Sequence, residues 1–428
     1  MSALDNLVAP TTLEEAGLSL DLVTQLALKT LYFAGELSGG DLAKRLGVNF
    51  GVVEPALEFL KAQQRCEIVG GALAGGSSYR YRITTEGRSV AVLFLQQSQY
   101  VGVAPVPLAQ YVKYMTSGSR AETGSVTRDE VHKGFSHLVL GDAVLDEIGP
   151  AINSGQSIFI YGPPGNGKTV IAQALQGLLT GDVEVPFALE VEGQIIRVFD
   201  PVSHQGKSAP INDQLMLDPG GNKDRRWATC RRPMVQVGGE LTLESLDLTF
   251  DPRLGYYHAP LQLIANGGML LVDDFGRQRC APQDLLNRWM VPLESGIDHL
   301  TLQSGVTFEV PFRVFVAFAT NIKPSELVDE AFLRRVRYKV FAKGPSADEF
   351  IRIAENYCRE RDLTFDRAVI EQLLNGYFHE HGVSRRACHP RDLINQALLL
   401  ASYRNESREL TLELLESACA AYFVEESW

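Results

Sequence analysis

Apolar positions along the chain follow three successive rhythms. In Leu20–Ala34 (LDLVTQLALKTLYFA) they recur at helical spacing, Ser38–Gly47 sets Leu42 and Leu46 four apart, and Val52–Gln64 repeats the pattern. Cys66–Val69 and Tyr79–Thr84 (YRYRIT) alternate as strands do, flanking the Gly-rich turn GGALAGGSS, and TEGRSVAVLFLQQ returns to helical spacing up to Gln97. From Ser98 to Val131, proline and small polar residues (VGVAPVPL, then TSGSRAETGSVTRDE) displace the periodic ones, which predicts an extended linker. From His132 onward short apolar strands alternate with helical stretches, the rhythm of a parallel α/β core. Beyond residue 344 the strands stop, and Asp348–Arg361, Pro390–Arg404 and Thr411–Phe423 read as amphipathic helices. The expected division is therefore an arm over 1–19, an α+β module over 20–97, a linker over 98–131, a large α/β unit over 132–343 and a helical unit over 344–428.

Composition narrows the classes. Over 428 residues, 45% hydrophobic and 21% charged residues exclude wholesale disorder. A formal net charge of −12 gives no support for coating a polyanion or an anionic membrane. Apolar runs such as Val90–Leu95 and Met269–Val272 are far too short for a bilayer, so no membrane insertion is expected. The start MSALDNLVAP lacks a basic stretch followed by an apolar one, which argues against a secretory signal. Cys66, Cys230, Cys280, Cys358, Cys388 and Cys419 stand far apart with no CxxC pair, as expected of reduced thiols in a cytoplasmic protein. His379–Glu380–His381 places its histidines two apart in a helical stretch, on different faces, and is expected to be solvated rather than metal-binding.

The chemistry concentrates in Gly162–Thr169, GPPGNGKT, set between the strand SIFIY and the helix VIAQALQGLL. This is GxxxxGK[ST] in the strand–loop–helix setting that the phosphate-cradling loop requires. The backbone of Gly162, Pro163, Pro164, Gly165, Asn166, Gly167, Lys168, Thr169 and Val170 is expected to wrap nucleotide phosphates, with the positive end of the following helix behind it. Lys168 would bridge the β- and γ-phosphates, and the Thr169 hydroxyl would complete a magnesium shell. Such a loop needs a carboxylate beside it, and MLLVDDF supplies a strand ending in Asp273, for the metal waters, and Asp274, for the attacking water. RVFVAFA ends in Thr320–Asn321, whose amide can hold a γ-phosphate or a water. AFLRRV sets Arg334 and Arg335 at a helix end, and HPRDL starts a helix with Arg391.

Taken in order, GPPGNGKT, MLLVDD, FATN, AFLRR and HPRDL resemble the Walker A, Walker B, sensor 1, arginine finger and sensor 2 of AAA+ ATPases. The resemblance covers roughly His132 to the carboxyl end. It implies an α/β fold with a P-loop αβα core, a C-terminal helical lid, ATP or ADP with Mg2+ between them, and a homo-oligomeric ring, usually a hexamer. By the same resemblance Asn321 takes the sensor 1 role, Arg335 (Arg334 second) the finger and Arg391 the sensor 2 role, while HLVLGDAVL, with Leu138 and Val139, borders the adenine. The long interval between Lys168 and Asp273 ends in a stretch similar to the helix-2 insert of magnesium-chelatase, MoxR-like and enhancer-binding ATPases. LTLQSGVTFEV (300–310) resembles their pre-sensor-1 hairpin, and both insertions are expected to point into the ring channel. The family's Glu after the Walker B Asp is replaced by Asp274, one methylene shorter, which bears on turnover and leaves binding untouched.

The front module resembles a winged helix-turn-helix. Over Leu20–Gln97 eight Lys/Arg face seven Asp/Glu, and its third helix carries Glu54 and Glu58 against Lys61 and Arg65. Phosphate contacts dominate DNA affinity, so beyond Arg80 and Arg82 the module offers DNA little, and a protein-binding or oligomerising role is favoured. The leading expectation is an ATP-hydrolysing ring that remodels a client protein complex. The competing expectations are an ATP-controlled DNA-binding regulator and a nucleotide-gated scaffold with little turnover.

Overall fold

The computed structural model describes residues 7–70, 75–117, 125–206, 222–327 and 330–423. At the amino-terminal side, α1 (Leu20–Ala34) is capped by the Ser19 hydroxyl, which accepts from the Leu22 amide, and stops at Gly35 with φ 75°. After β1 (Glu36–Ser38), α2 (Gly39–Arg45) and α3 (Phe50–Ala62) come β2 (Cys66–Gly70), β3 (Arg80–Ile83) and α4 (Thr85–Gln97). The three strands form an antiparallel sheet in the order β1-β3-β2. Leu22, Leu26, Leu42, Val52, Leu57 and Leu60 close the core between sheet and helices. The short strand β1 is the piece the sequence pattern does not announce.

The stretch expected as an extended linker carries β4 (Val106–Pro107) and the ten-residue helix α5 (Leu108–Ser117). Its prolines suggested a spacer, but Tyr111, Tyr114 and Met115 share one helical face and are buried. Both tyrosine rings lie against Trp227, with centroids at 6.2 and 5.0 Å.

After α6 (Arg128–Gly134) and α7 (Asp142–Ser154), β5 (Ile158–Tyr161) leads through the Gly-rich loop into α8 (Lys168–Gln176). A β-rich insertion then follows: β6 (Asp182–Pro186), β7 (Ala188–Val191), β8 (Gln194–Arg197) and β9 (Trp227–Arg231). The chain resumes with β10 (Met234–Val237), β11 (Thr249–Asp251), β12 (Tyr256–His258), β13 (Met269–Val272) and α9 (Pro282–Ser295). Next come β14 (Ile297–Thr301), β15 (Thr307–Pro311), β16 (Phe315–Thr320), α10 (Glu330–Arg335) and β17 (Tyr338–Phe341).

The central sheet runs β10-β13-β16-β5-β17, every neighbouring pair parallel. Alternation along its strands buries both faces. Ile158, Ile160, Met269, Leu271, Phe315 and Ala317 point to the layer of α6, α7 and α8. Phe159, Leu270, Val272, Val316 and Phe318 point to that of α9, where Leu285, Leu286 and Trp289 meet them. The result is an αβα sandwich with its P-loop at the carboxyl end of β5, between β16 and β17.

Strands β7, β8, β11 and β12 join β4 of the preceding stretch in a second sheet, β11-β12-β8-β7-β4, beside the β6-β9 ribbon. The region expected as a helix-2 insert thus contributes β11 and β12 to this sheet. The hairpin expected near 300–310 is present as β14–β15, paired Ile297↔Pro311 through Thr301↔Thr307. Leu300, Leu302, Phe308 and Val310 pack into the same cluster as α5 and the inserted strands. One face of the hairpin is therefore occupied inside the chain, while residues 303–306 at its tip are exposed.

The inserted sheet is also the seat of the front module: Ala188, Ile195 and Tyr256 belong to its core cluster. Arg226, 1% exposed, forms a buried pair with Asp224 and donates to Ala16 O at 2.9 Å and Gln110 Oε1 at 2.8 Å. The arm is pinned by Ala9 N–H to Asn222 O and Asp224 N–H to Leu7 O. Last, α11 (Ala347–Glu360), α12 (Arg367–Leu373), α13 (His389–Arg404) and α14 (Leu412–Tyr422) make the carboxyl-terminal helical unit around Phe350, Leu373, Leu393 and Leu415. Among the described residues no helix is long and apolar enough to cross a membrane.

Candidate functional site

The Gly-rich loop follows from its glycines. Gly162, Gly165 and Gly167 take φ 149°, 80° and 75°, values that side-chain-bearing residues rarely adopt. A Cβ on Gly162 would stand 2.4 Å from the Ala342 carbonyl oxygen, so the loop can fold this tightly only without one. Gly167 hands the chain to α8, whose first amides face the loop. Lys168 is 7% exposed and donates to Pro163 O at 2.8 Å, which holds the ammonium across the loop mouth. Burial holds its pKa below the ordinary lysine value; Asp274 and Asp273 oppose that shift, and Arg386 adds to it. Val170 is largely exposed, and Leu138, with Val139 half-buried beside it, lies over the cluster beneath the sheet.

The acidic pair arrives on β13 two strands away. Thr169 Oγ1 donates to Asp273 Oδ1 at 3.1 Å, and the Asp274 amide donates to the same oxygen at 3.0 Å. Asp273 Oδ2 accepts from Gln236 Nε2 at 3.4 Å, and Gln236 accepts in turn from Gln173 on α8. A hydroxyl beside a carboxylate is the hard-oxygen donor set that Mg2+ takes, so Thr169 and Asp273 fit that ion. Asp274 sits at φ 46°, and its Oδ1 accepts from Asn321 Nδ2 at 3.2 Å. Thus Lys168, Thr169, Asp273, Asp274 and Asn321, spread over some 150 residues, converge at one end of the sheet.

The three arginines lie elsewhere. Arg334, Arg335 and Arg337 line a cleft of about 400 Å³ with Gln156, Leu293 and Glu294. Arg335 donates to Glu294 Oε2 at 3.0 Å. Gln156 precedes β5 and Arg337 precedes β17, which runs parallel to it, so this cleft is at the opposite strand ends from the loop. Arg391 opens α13 and donates to its neighbour Asp392 at 2.9 Å, with a side chain 60% exposed.

The basic residue of the helical unit that does meet the loop is Arg386. The positions of its Cβ and Cδ are 3.7 and 3.5 Å from where a Cβ of Gly165 would be. Sequence reasoning passed over it because RR in SRRACHPRDL lies outside the helical pattern, although it stands just before the motif. Gln236 was missed too; a polar residue inside the apolar strand MVQV was the available signal. Gln278, which donates to Asp273 O and Asp274 O at 3.0 and 3.2 Å and accepts from Gly276 N–H, braces the acidic turn and carries no sequence signal.

A family model described as a domain of unknown function (DUF8689) matches residues 346–421, the helical unit. Curated proteins offer no match. Among solved structures the chain is similar to NtrX from Brucella abortus in complex with ADP, at 14% identity and TM-score 0.40 over 67% of this chain and 56% of that one. The same protein in complex with ATP gives 14% and 0.40 over 66% and 56%. The RuvB Holliday junction branch migration motor of Thermotoga maritima gives 12% and 0.37 over 66% and 69%. The chain spans little more than half of the NtrX chain it matches. The fold rests on the strand order and the glycine-shaped loop: a mixed α/β chain with a parallel-sheet P-loop core and a helical carboxyl-terminal unit.

Proposed function

We propose that this chain is a magnesium-dependent AAA+ ATPase whose subunits form a ring that remodels a client protein complex. The observation that carries the reading is the Thr169–Asp273 contact at 3.1 Å directly below a loop folded for phosphates. In this reading the backbone of 162–168 and Lys168 hold the triphosphate, and Thr169 and Asp273 hold Mg2+, which would neutralise phosphate charge when bound. Asp274 accepts the proton of the attacking water, and Asn321 fixes that carboxylate. Arg335, too distant for its own loop, serves a neighbouring subunit's nucleotide, with Arg334 beside it. Arg386 joins Arg391 as a candidate for the lid cation. Leu138 and Val139 flank the base.

Purified protein with Mg-ATP should release phosphate, and Lys168→Ala should abolish the release; equal release by both removes the enzyme claim. Mixing Arg335→Ala with Asp274→Ala chains should restore activity, since a site that takes Asp274 from an Arg335→Ala chain and Arg335 from an Asp274→Ala neighbour has both groups intact; no rescue at any ratio defeats the shared site.

The scaffold reading draws support from one feature, the engagement of Asp274 Oδ1 by Asn321, which leaves a short carboxylate already partnered. Binding of ADP without measurable turnover would select it. DNA binding by the winged-helix-like module is disfavoured, because Arg80 and Arg82 both donate to Glu36, at 2.7 and 3.1 Å. Protein is the better partner class for residues 20–97.

A further inference from the structure

The loop residue Asn166 is 5% exposed, and its side chain is turned away from the loop mouth. Its Nδ2 donates to Ala342 O at 3.0 Å, at the end of β17, and its Oδ1 accepts from the Ala387 amide at 3.4 Å. One carboxamide thus spans the last core strand and the turn that leads into α13. Beside it, Gly165 O accepts from the Cys388 amide at 2.9 Å, and the Cys388 sulfur fills the space a Gly165 side chain would need, 2.6 Å from that Cβ. The junction between core and helical unit is equally close, with Arg385 O 2.4 Å from the Cβ position of Gly344. The loop tip is therefore clamped between residues 342–344 and 385–388, and the Asn166 side chain bonds both.

From this geometry we infer that Asn166 is a positioning residue that ties the shape of the phosphate loop to the stance of the helical unit. The inference rests on the nucleotide reading and deepens it. A phosphate gripped by the loop amides fixes the peptide planes of 165–167, and Asn166 passes that restraint to Ala387. A loop without phosphate leaves the same amide free to tilt, and the turn 385–388 follows it. A carboxamide is required because one partner is a carbonyl and the other an N–H, so the residue has to donate and accept at once.

Hydrogen exchange of the full chain, with and without Mg-ADP, tests this. In the wild type, Mg-ADP should slow exchange of peptides covering 385–392 roughly fivefold or more. In Asn166→Ala, with Mg-ADP raised to the saturating concentration that calorimetry of the variant sets, the ADP-dependent slowing over 385–392 is lost. A merely structural role would raise exchange equally with and without nucleotide. Asn166→Leu, close in volume but unable to donate or accept, should behave like Ala and serves if the Ala variant folds poorly. Wild-type slowing in either variant overturns the inference alone. Absence of ADP binding to the wild type overturns the nucleotide reading and the inference together.

Discussion

At the scale of a single residue, the proposed chemistry turns on Asp274. At φ 46° it occupies a backbone region that aspartate and asparagine tolerate better than most residues. Its successor Phe275 locks the turn: the Phe275 amide donates to Ala319 O, Thr320 Oγ1 donates to Phe275 O, and the ring is edge-on to Phe159 at 5.9 Å. The carboxylate is thus placed by a buried neighbour rather than by its own reach. Asp274→Asn, isosteric and equally at ease at this φ, should leave ADP affinity unchanged and lower phosphate release by roughly 10²–10⁴. Steady-state kinetics beside calorimetry check both halves, and an unchanged rate would remove Asp274 from the mechanism.

Among elements, α13 gives the clearest pH signature. His389 sits at its start, 3% exposed, and its Nδ1 accepts from the Arg386 amide at 3.3 Å. The Phe378, Tyr422 and Phe423 rings surround it. Burial pushes its pKa down to about 4, with Arg386 adding to the shift and Asp392 opposing it. The unfolded chain binds a proton there near pH 6.5 and the folded chain does not, so this stabilisation is complete above pH 6.5 and is lost as the pH falls through 4. The loss should be on the order of 2 kcal/mol by pH 4. His204, buried and also lowered, titrates in the same direction, so the wild type should be compared with His389→Gln. Melting temperatures between pH 7 and 4 should fall more steeply for the wild type; parallel curves would exonerate His389.

The same scale shows what could be read in advance. Helices α1, α4 and α11 were legible to within a residue because their apolar spacing is intact, and the buried strands β5, β13 and β16 because they are short apolar runs before motif residues. The acidic pair and the Gly-rich loop were legible because a glycine-rich run between strand and helix, and two adjacent carboxylates after an apolar strand, stand out in the sequence itself. Helix α5 was lost in a proline-rich context, its helical face being built from tyrosines. The strands of the insertion alternate clearly enough in VEVPFALEVEGQIIRVF, but β6 pairs with the distant β9, a partner that spacing does not announce. Arg386 and Gln278 act through tertiary approach, which spacing does not encode.

For the whole molecule, the front module is bolted to the core rather than tethered. Arg226 makes the joint, and with its charge buried against Asp224 it cannot be removed cheaply. Arg226→Ala leaves that carboxylate buried without its partner and should cost ~3–5 kcal/mol. The change should also speed proteolysis in the arm before residue 20, read by mass spectrometry. A cost under about 1 kcal/mol would mean that the pair is dispensable.

The seam beneath the module carries a practical consequence. Gln97 O lies 2.1 Å from the Cβ position of Gly255, and Ala188, Ile195 and Tyr256 close the front core from the other side. A shortened protein beginning at Ser98 would bare that greasy floor to water. It should clump, so any assay of the isolated carboxyl-terminal part would report on precipitation before it reported on ligand binding.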